Sequence, residues 1–167
     1  CLSISEALPL RTGTVDMLQL LRSSTSYFSV NDLIEARQKC FKMAGRGPSD
    51  VVPHEYYYQS KLAPIIRALI PKSWRFFPEV KTIGDKCRIN FALSGNERIV
   101  MELAATSSND ELREHYTHAA EYGLMINAGH VWVLHFSEVK LDTATLPLPE
   151  SEFSVHKLHL VHSIDGG

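Results

Sequence analysis

The sequence predicts an α/β domain, in which a mixed sheet of about four or five strands is flanked by helices and preceded by a helical N-terminal extension. A hairpin pattern over 87–104 is followed by a helical pattern over 109–123 and an apolar strand over 130–136. Such a strand–helix–strand connection predicts a parallel pair joined by a right-handed crossover. The 167 residues, 44% hydrophobic and 22% charged, are typical of one globular domain.

Two amphipathic patterns predict the N-terminal extension. The first covers 15–22, and the second follows Asn31, which we expect to cap its helix. Segment 45–50 is rich in turn-forming residues and indicates a boundary. We therefore predict a helical segment packed on the core over residues 1–50 and the main domain over 51–167.

The main domain is predicted to begin with a helix over 53–70, which Pro64 should kink or split. The continuous apolar run of 98–104 indicates a strand buried on both faces. Gly123 is predicted to cap the C-terminus of the helix that follows the hairpin. The predicted strands are 74–80, 87–93, 98–104, 130–136 and 155–162.

Composition excludes several classes of protein. The net charge of -2 excludes a polycation, so any nucleic-acid binding must come from a local patch. Three cysteines without a CxxC pair provide no disulfide framework, which favours an intracellular, reducing compartment. The apolar runs are too short to cross a bilayer, so no membrane partner is expected. Because the chain begins with Cys1, we interpret it as a fragment of a longer protein.

A carboxylate inside an apolar strand is the strongest local indication of a site. Glu102 lies within the run 99–103, where a charge is costly unless it is paired or binds a cation. The alternative is an edge-strand glutamate that faces water. Asn90 lies near the middle of the preceding strand. Glu55 begins the helix before the hairpin, where an acid also favours the helix dipole.

Six segments of the main domain follow one another in a characteristic order. They are 54–59, 77–80, 88–91, 99–104, 114–123 and 132–136. In order and spacing they resemble the PD-(D/E)XK nuclease superfamily, and more narrowly the nuclease-like C-terminal domains of Crinkler effectors. The resemblance implies a restriction-endonuclease-like sheet whose acids hold Mg²⁺ or Mn²⁺ against a phosphate, while a lysine steadies the attacking hydroxide.

The resemblance also implies which residues form the site. Glu55, Asn90 and Glu102 match the catalytic and metal-binding positions, but Asn90 stands where an aspartate is expected and Ala104 where the lysine belongs. These losses favour a degenerate site that binds nucleic acid with weak or no cleavage. One alternative is an active Mg²⁺-dependent endonuclease with a rearranged site; another is a protein-interaction effector module on a nuclease scaffold. The groups available for a rearrangement are Lys81, Lys86, Arg88, Glu79 and Asp85.

The stretch from Lys61 to Arg88 is strongly basic, with seven lysines and arginines against two acids. It is either a phosphate-binding surface or a solvated face over buried aromatics. Because neighbouring side chains in a strand point to opposite faces, at least one of Phe76 and Phe77 should belong to the core. The residues predicted to contact DNA or RNA are Gln59, Lys72, Arg75, Lys81, Lys86, Arg88 and His115.

The remaining partner predictions follow from the histidines and from the resemblance. His156, His159 and His162 should alternate between the faces of one strand and have no nearby cysteine, so zinc ligation is not expected. Mg²⁺ or Mn²⁺ is expected only if the site is active, and no small-molecule cofactor is expected. An effector of this type would act inside a host cell, in the nucleus, where a host protein is a further possible partner.

Overall fold

A five-stranded mixed sheet organises the part of the chain that the computed structural model describes, namely residues 15–29, 31–35, 55–81, 88–137 and 153–161. The strands are β1 (Arg75–Lys81), β2 (Arg88–Ser94), β3 (Arg98–Ala105), β4 (His130–Ser137) and β5 (Ser154–Val161). They lie in the order β1-β2-β3-β4-β5. The first two pairs are antiparallel and the last two are parallel, which confirms the predicted mixed sheet.

Three helices flank this sheet within the described residues. They are α1 (Met17–Thr25), α2 (Glu55–Leu69) and α3 (Asn109–Met125), and a helical segment also covers 31–35. Helix α3 connects the parallel strands β3 and β4, as the strand–helix–strand pattern predicted. None of these helices combines the length and the apolar character needed to cross a bilayer.

The core has two layers, one on each face of the sheet. The first joins α1, α2 and one sheet face, and it includes Leu20, Tyr58, Phe91 and Leu103. The second joins α3 to the other face through residues such as Tyr116. Helix α1 therefore packs on the core as expected, whereas the predicted boundary at 45–50 lies outside the described residues. Both β3 and β4 are buried along nearly their whole length, as predicted.

Several local predictions need correction. The side chain of Ser29, not Asn31, accepts the N–H of Asp32 and caps the segment 31–35, because Asn31 already lies within the helical turn. Helix α2 continues through Pro64 without being split. Pro64 is exposed, and the buried face of the helix stabilises the turns on either side of it.

Gly123 is not a helix cap, because α3 continues past it to Met125 and ends at Ile126. The absence of a side chain at Gly123 matters for packing instead. A Cβ on Gly123 would lie 2.6 Å from Val131 Cγ2 and 2.7 Å from Phe153 Cζ. The glycine therefore allows α3 to approach the sheet closely.

Candidate functional site

Asn90 joins helix α2 to strand β3 at the point where β2 and β3 separate. The ladder between these strands ends at the pair Phe91↔Met101, and Asn90 is the next residue. Its side-chain Oδ1 accepts the backbone N–H of Leu103 at 2.8 Å, and its Nδ2 donates to Glu55 Oε1 at 2.5 Å. Asn90 is only 4% exposed, so its amide replaces the missing ladder bond with a buried bridge.

The backbone around Asn90 explains how its side chain reaches both partners. The β1–β2 ladder contains Pro78↔Phe91 and Val80↔Ile89 but omits the pair between them, and Glu79 has a φ of 53°. Regular alternation would place Ile89 and Phe91 on one face, yet they belong to opposite core layers. The strand thus changes face at Asn90, and the amide lies between the two layers.

The orientation of the Asn90 amide follows from its partners. The Leu103 N–H can only donate, so the amide atom that faces it is the oxygen, and the NH₂ group faces Glu55. Asn90 therefore offers an N–H donor to the Glu55 carboxylate. An aspartate at this position would instead bring two carboxylates together, an arrangement that requires a proton or a cation between them.

Glu102 lies in the middle of β3 and is 5% exposed. Its Oε1 lies 3.2 Å from His115 Nδ1, while its buried Oε2 has no hydrogen-bond partner in the described part of the chain. Burial raises the pKa of Glu102 to about 7, although the hydrogen bond to His115 opposes the shift; the charge of Glu55 adds to it. Glu102 therefore faces inward, and the predicted alternative of an edge glutamate facing water does not apply.

His115, on α3, is the positive partner of Glu102. Burial disfavours its charged form, but the hydrogen bond to Glu102 and the charges of Glu102, Glu55 and Glu111 outweigh burial and raise the pKa of His115. Both groups of the pair therefore hold a proton more readily than the isolated side chains do. Ala104 is fully buried in the second core layer, and it provides no charge where the lysine was expected. His115 supplies the nearby N–H instead, and its raised pKa favours the charged form.

The four basic residues of the predicted nucleic-acid surface that lie in the described ranges are at the surface, away from the buried Glu102. Lys72, Arg75, Lys81 and Arg88 are exposed on or beside β1 and β2. Arg88 Nη1 lies 3.8 Å from Glu79 Oε1, and both side chains are exposed. As predicted, the adjacent aromatics divide between core and surface, with Phe76 buried and Phe77 exposed.

Two other predicted contact residues have different outcomes. Gln59 lies one turn after Glu55 on α2 and is buried, so it is not part of the exposed basic surface. Lys86 lies outside the described residues, as does Asp85, so neither is placed relative to Glu102.

Sequence reasoning missed the role of His135. This residue is buried in β4, beside Ala104 in the parallel register, and its Nε2 lies 2.8 Å from the carbonyl oxygen of Thr106. The hydroxyl of Thr106 in turn donates to Glu111. Burial lowers the pKa of His135, which favours a neutral ring. The sequence did contain an indication that His135 is buried and hydrogen-bonded, because this histidine lies inside the apolar run of β4. The same kind of pattern, a polar residue within an apolar strand, identified Glu102.

The residues around Asn90 do not fit a bound Mg²⁺ in this arrangement. The ion requires several oxygen ligands, but the Asn90 oxygen faces Leu103 and its N–H group faces Glu55. In the described ranges, no three His, Cys, Asp or Glu side chains are grouped to hold a metal ion. The bare Oε2 of Glu102 is one oxygen suited to the ion, which needs several.

The group formed by Glu55, Asn90, Glu102 and His115 is accordingly an amide–carboxylate–histidine cluster, and we call it the Glu102 cluster. It combines two carboxylates, one amide and one imidazole that favours its charged form. No protein-family model, curated protein or solved structure matches this chain. The function of the Glu102 cluster is therefore inferred from its own geometry and from the surface around it.

Proposed function

We propose that this chain is a nucleic-acid-binding domain of the PD-(D/E)XK type, similar to the C-terminal domain of Crinkler effectors, with a degenerate metal site. The observation that carries the proposal is the bridge from Glu55 through Asn90 to Leu103, next to Glu102. Three positions far apart in the sequence thereby meet at one point, where β2 and β3 separate. This is the convergence that the resemblance implies.

The charges in the Glu102 cluster favour binding over cleavage. Asn90 contributes no negative charge, and the hydrogen bond between His115 and Glu102, which raises the pKa of His115, favours a positive partner beside Glu102. With Ala104 in the lysine position, the cluster has no lysine to steady an attacking hydroxide, and Nδ1 of His115 is already engaged by Glu102. His115 remains partly exposed and can donate an N–H to a phosphate oxygen. We therefore expect phosphate recognition with little or no hydrolysis.

The exposed basic residues of β1 and β2 support the same function. The four that the structure describes are Lys72, Arg75, Lys81 and Arg88. Lys81 and Arg88 are direct partners in the β1–β2 register, and cations at a surface neutralise phosphates and release condensed counterions. DNA and RNA share this backbone chemistry, so both are proposed ligands. If the domain acts as effectors do, binding would occur within a host cell, in the nucleus.

Salt-dependent binding tests this proposal. Four phosphate contacts predict a slope of log K against log salt of about -3.6, and hence about 10²-fold weaker binding at 200 mM than at 50 mM salt. Fluorescence anisotropy with labelled duplex DNA and RNA measures both quantities. The Arg75→Glu variant should bind about tenfold more weakly, with a slope shallower by about 1. Arg22→Glu, an exposed charge reversal on α1, is the matched control and should bind as the wild type does.

The two alternatives are distinguished by further results. If 50 mM salt permits no binding, or if binding is insensitive to salt, the nucleic-acid proposal is wrong and the protein-interaction alternative is favoured. An active nuclease would cut plasmid in Mg²⁺ or Mn²⁺, and the buried, unpartnered Oε2 of Glu102 is the observation that favours this second candidate. Glu102→Gln removes the carboxylate with little change in volume. Cleavage that persists in that variant would not come from this site.

A further inference from the structure

A second cluster of titratable side chains lies on the other face of the sheet. His130 on β4 and His156 on β5 are diagonal neighbours, since the register pairs His130 with Ser154 and Trp132 with His156. Nδ1 of His130 faces Nε2 of His156 at 3.2 Å. The His156 ring stacks on Trp132, which belongs to the first core layer, whereas Glu102 and His115 meet on the α3 side. The histidine pair is therefore separate from the Glu102 cluster.

A carboxylate orients one of the two rings. Glu97 Oε2, just before β3, lies 3.2 Å from His130 Nε2. If Nε2–H donates to this carboxylate, neutral His130 directs the lone pair of Nδ1 toward His156. A histidine that donates one N–H to a carboxylate while its other nitrogen faces a ligand is the usual arrangement at protein metal sites. Glu97 thus prepares His130 to act as a ligand.

The separation of the two facing nitrogens matches a metal-bound pair. Zinc–nitrogen bonds of about 2.0–2.1 Å at a tetrahedral angle place two nitrogens about 3.3 Å apart. The observed distance of 3.2 Å is close to that separation, so a metal ion could replace the hydrogen that lies between the two nitrogens. Burial and the neighbouring His130 also lower the pKa of His156, which favours the neutral ring that binds metals.

We propose that His130 Nδ1 and His156 Nε2 bind a divalent transition-metal ion of the zinc, nickel or copper class, with Glu97 as a positioning residue. Imidazole nitrogens suit these ions, and Cu²⁺ should bind most tightly of the three. No third His, Cys, Asp or Glu completes the group among the residues that the structure describes. Water fills the remaining positions, which leaves them open to exchange. This inference is independent of the proposed nucleic-acid function.

Titration calorimetry with ZnCl₂ and CuCl₂ tests the site. The wild type should show one binding component that weakens at least tenfold in His130→Gln and in His156→Gln. Glu97→Gln should weaken it about 10-fold, because it removes only the orienting carboxylate. The matched control is His118→Gln, which removes an exposed histidine of α3. His118→Gln should bind metal as tightly as the wild type does. This result would show that the measured binding comes from the His130–His156 pair and not from an exposed histidine elsewhere.

Trp132 provides an independent readout, because its ring lies 4.4 Å from the His156 ring. Cu²⁺ at the proposed site should quench Trp132 fluorescence, and saturating Zn²⁺ should prevent the quenching. Trp74→Phe leaves Trp132 as the chain's single tryptophan and isolates the signal. Circular dichroism checks that each variant is folded. If the wild type binds neither ion, or if folded His156→Gln binds both as tightly as the wild type, the proposal is overturned.

Discussion

Replacing Asn90 with aspartate tests the arrangement of the Glu102 cluster most directly. The substitution removes the N–H that donates to Glu55 Oε1 at 2.5 Å and substitutes a second carboxylate. A hydrogen bond to a charged acceptor contributes about 1.5–3 kcal/mol, and two carboxylates at such a distance cannot both remain ionised. Forcing one of them to hold a proton at pH 7 costs about 4 kcal/mol.

We therefore expect Asn90→Asp to lower the free energy of unfolding by about 4 kcal/mol. For a chain of this length, that change corresponds to a fall in Tm of about 10 °C. A divalent cation should reverse part of it, since the introduced carboxylate would supply the oxygen ligand that Asn90 directs elsewhere. At a Mg²⁺ concentration of about 100 times Kd, the recovery is about 2.7 kcal/mol.

Thermal unfolding with and without MgCl₂ measures these effects. Asn90→Ala is the control without a new charge: it loses the bond to Glu55 as aspartate does, loses the bond from the Leu103 N–H in addition, and should remain insensitive to Mg²⁺. The double variant Asn90→Asp/Glu55→Gln should recover stability without metal, because glutamine can donate to the new carboxylate. If Asn90→Asp is as stable as the wild type in metal-free buffer, the inferred contact between Asn90 and Glu55 is wrong.

Two further predictions concern stability. Because the pKa of Glu102 rises from its ordinary 4.5 to about 7 on folding, its charged form costs stability, which falls as pH increases from about 4.5 through 7. The total loss in the free energy of unfolding is about 3 kcal/mol. Urea unfolding at a series of pH values should therefore show the wild type losing about this much stability relative to Glu102→Gln between pH 4.5 and 7. If the difference in stability between the two proteins does not change with pH, the argument from burial is wrong. Gly123→Ala should destabilise the protein by about 1–3 kcal/mol despite alanine's higher helix propensity, because its Cβ would collide with Phe153. In the same assay Gly129→Ala should be almost neutral, because a Cβ at Gly129 would lie 3.8 Å from its nearest neighbouring atom. Equal effects of the two substitutions would exclude the close approach of α3 to the sheet at Gly123.

The strands were predictable because their periodicity reflects their burial. The predicted strand over 98–104 corresponds to β3 (Arg98–Ala105), and the one over 155–162 corresponds to β5 (Ser154–Val161). Helix ends were less predictable. Glycine is common after helices, but Gly123 is required for packing against β4, and a local pattern does not distinguish these two reasons.

The residues of the Glu102 cluster were partly predictable as well. Glu102 was identifiable because a carboxylate within an apolar strand needs compensation, and the compensating group proved to be His115. The chemistry at Asn90 was not predictable, since either end of an amide can face a neighbour. Only the position of the Leu103 N–H determines that the oxygen faces β3 and the N–H group faces Glu55.

The sequence by itself determined the mixed sheet, the order of its strands along the chain and the apolar run around Glu102, because each depends on the alternation of apolar and polar residues within short segments. Tertiary structure decided which polar groups meet. Glu97, His130 and His156 come together only through the register of adjacent strands, and the raised pKa of His115 depends on Glu102 and Glu55, which other elements contribute. Hydrogen bonds and pKa values are set by distances of a few ångströms between residues remote in sequence, and folding creates those distances.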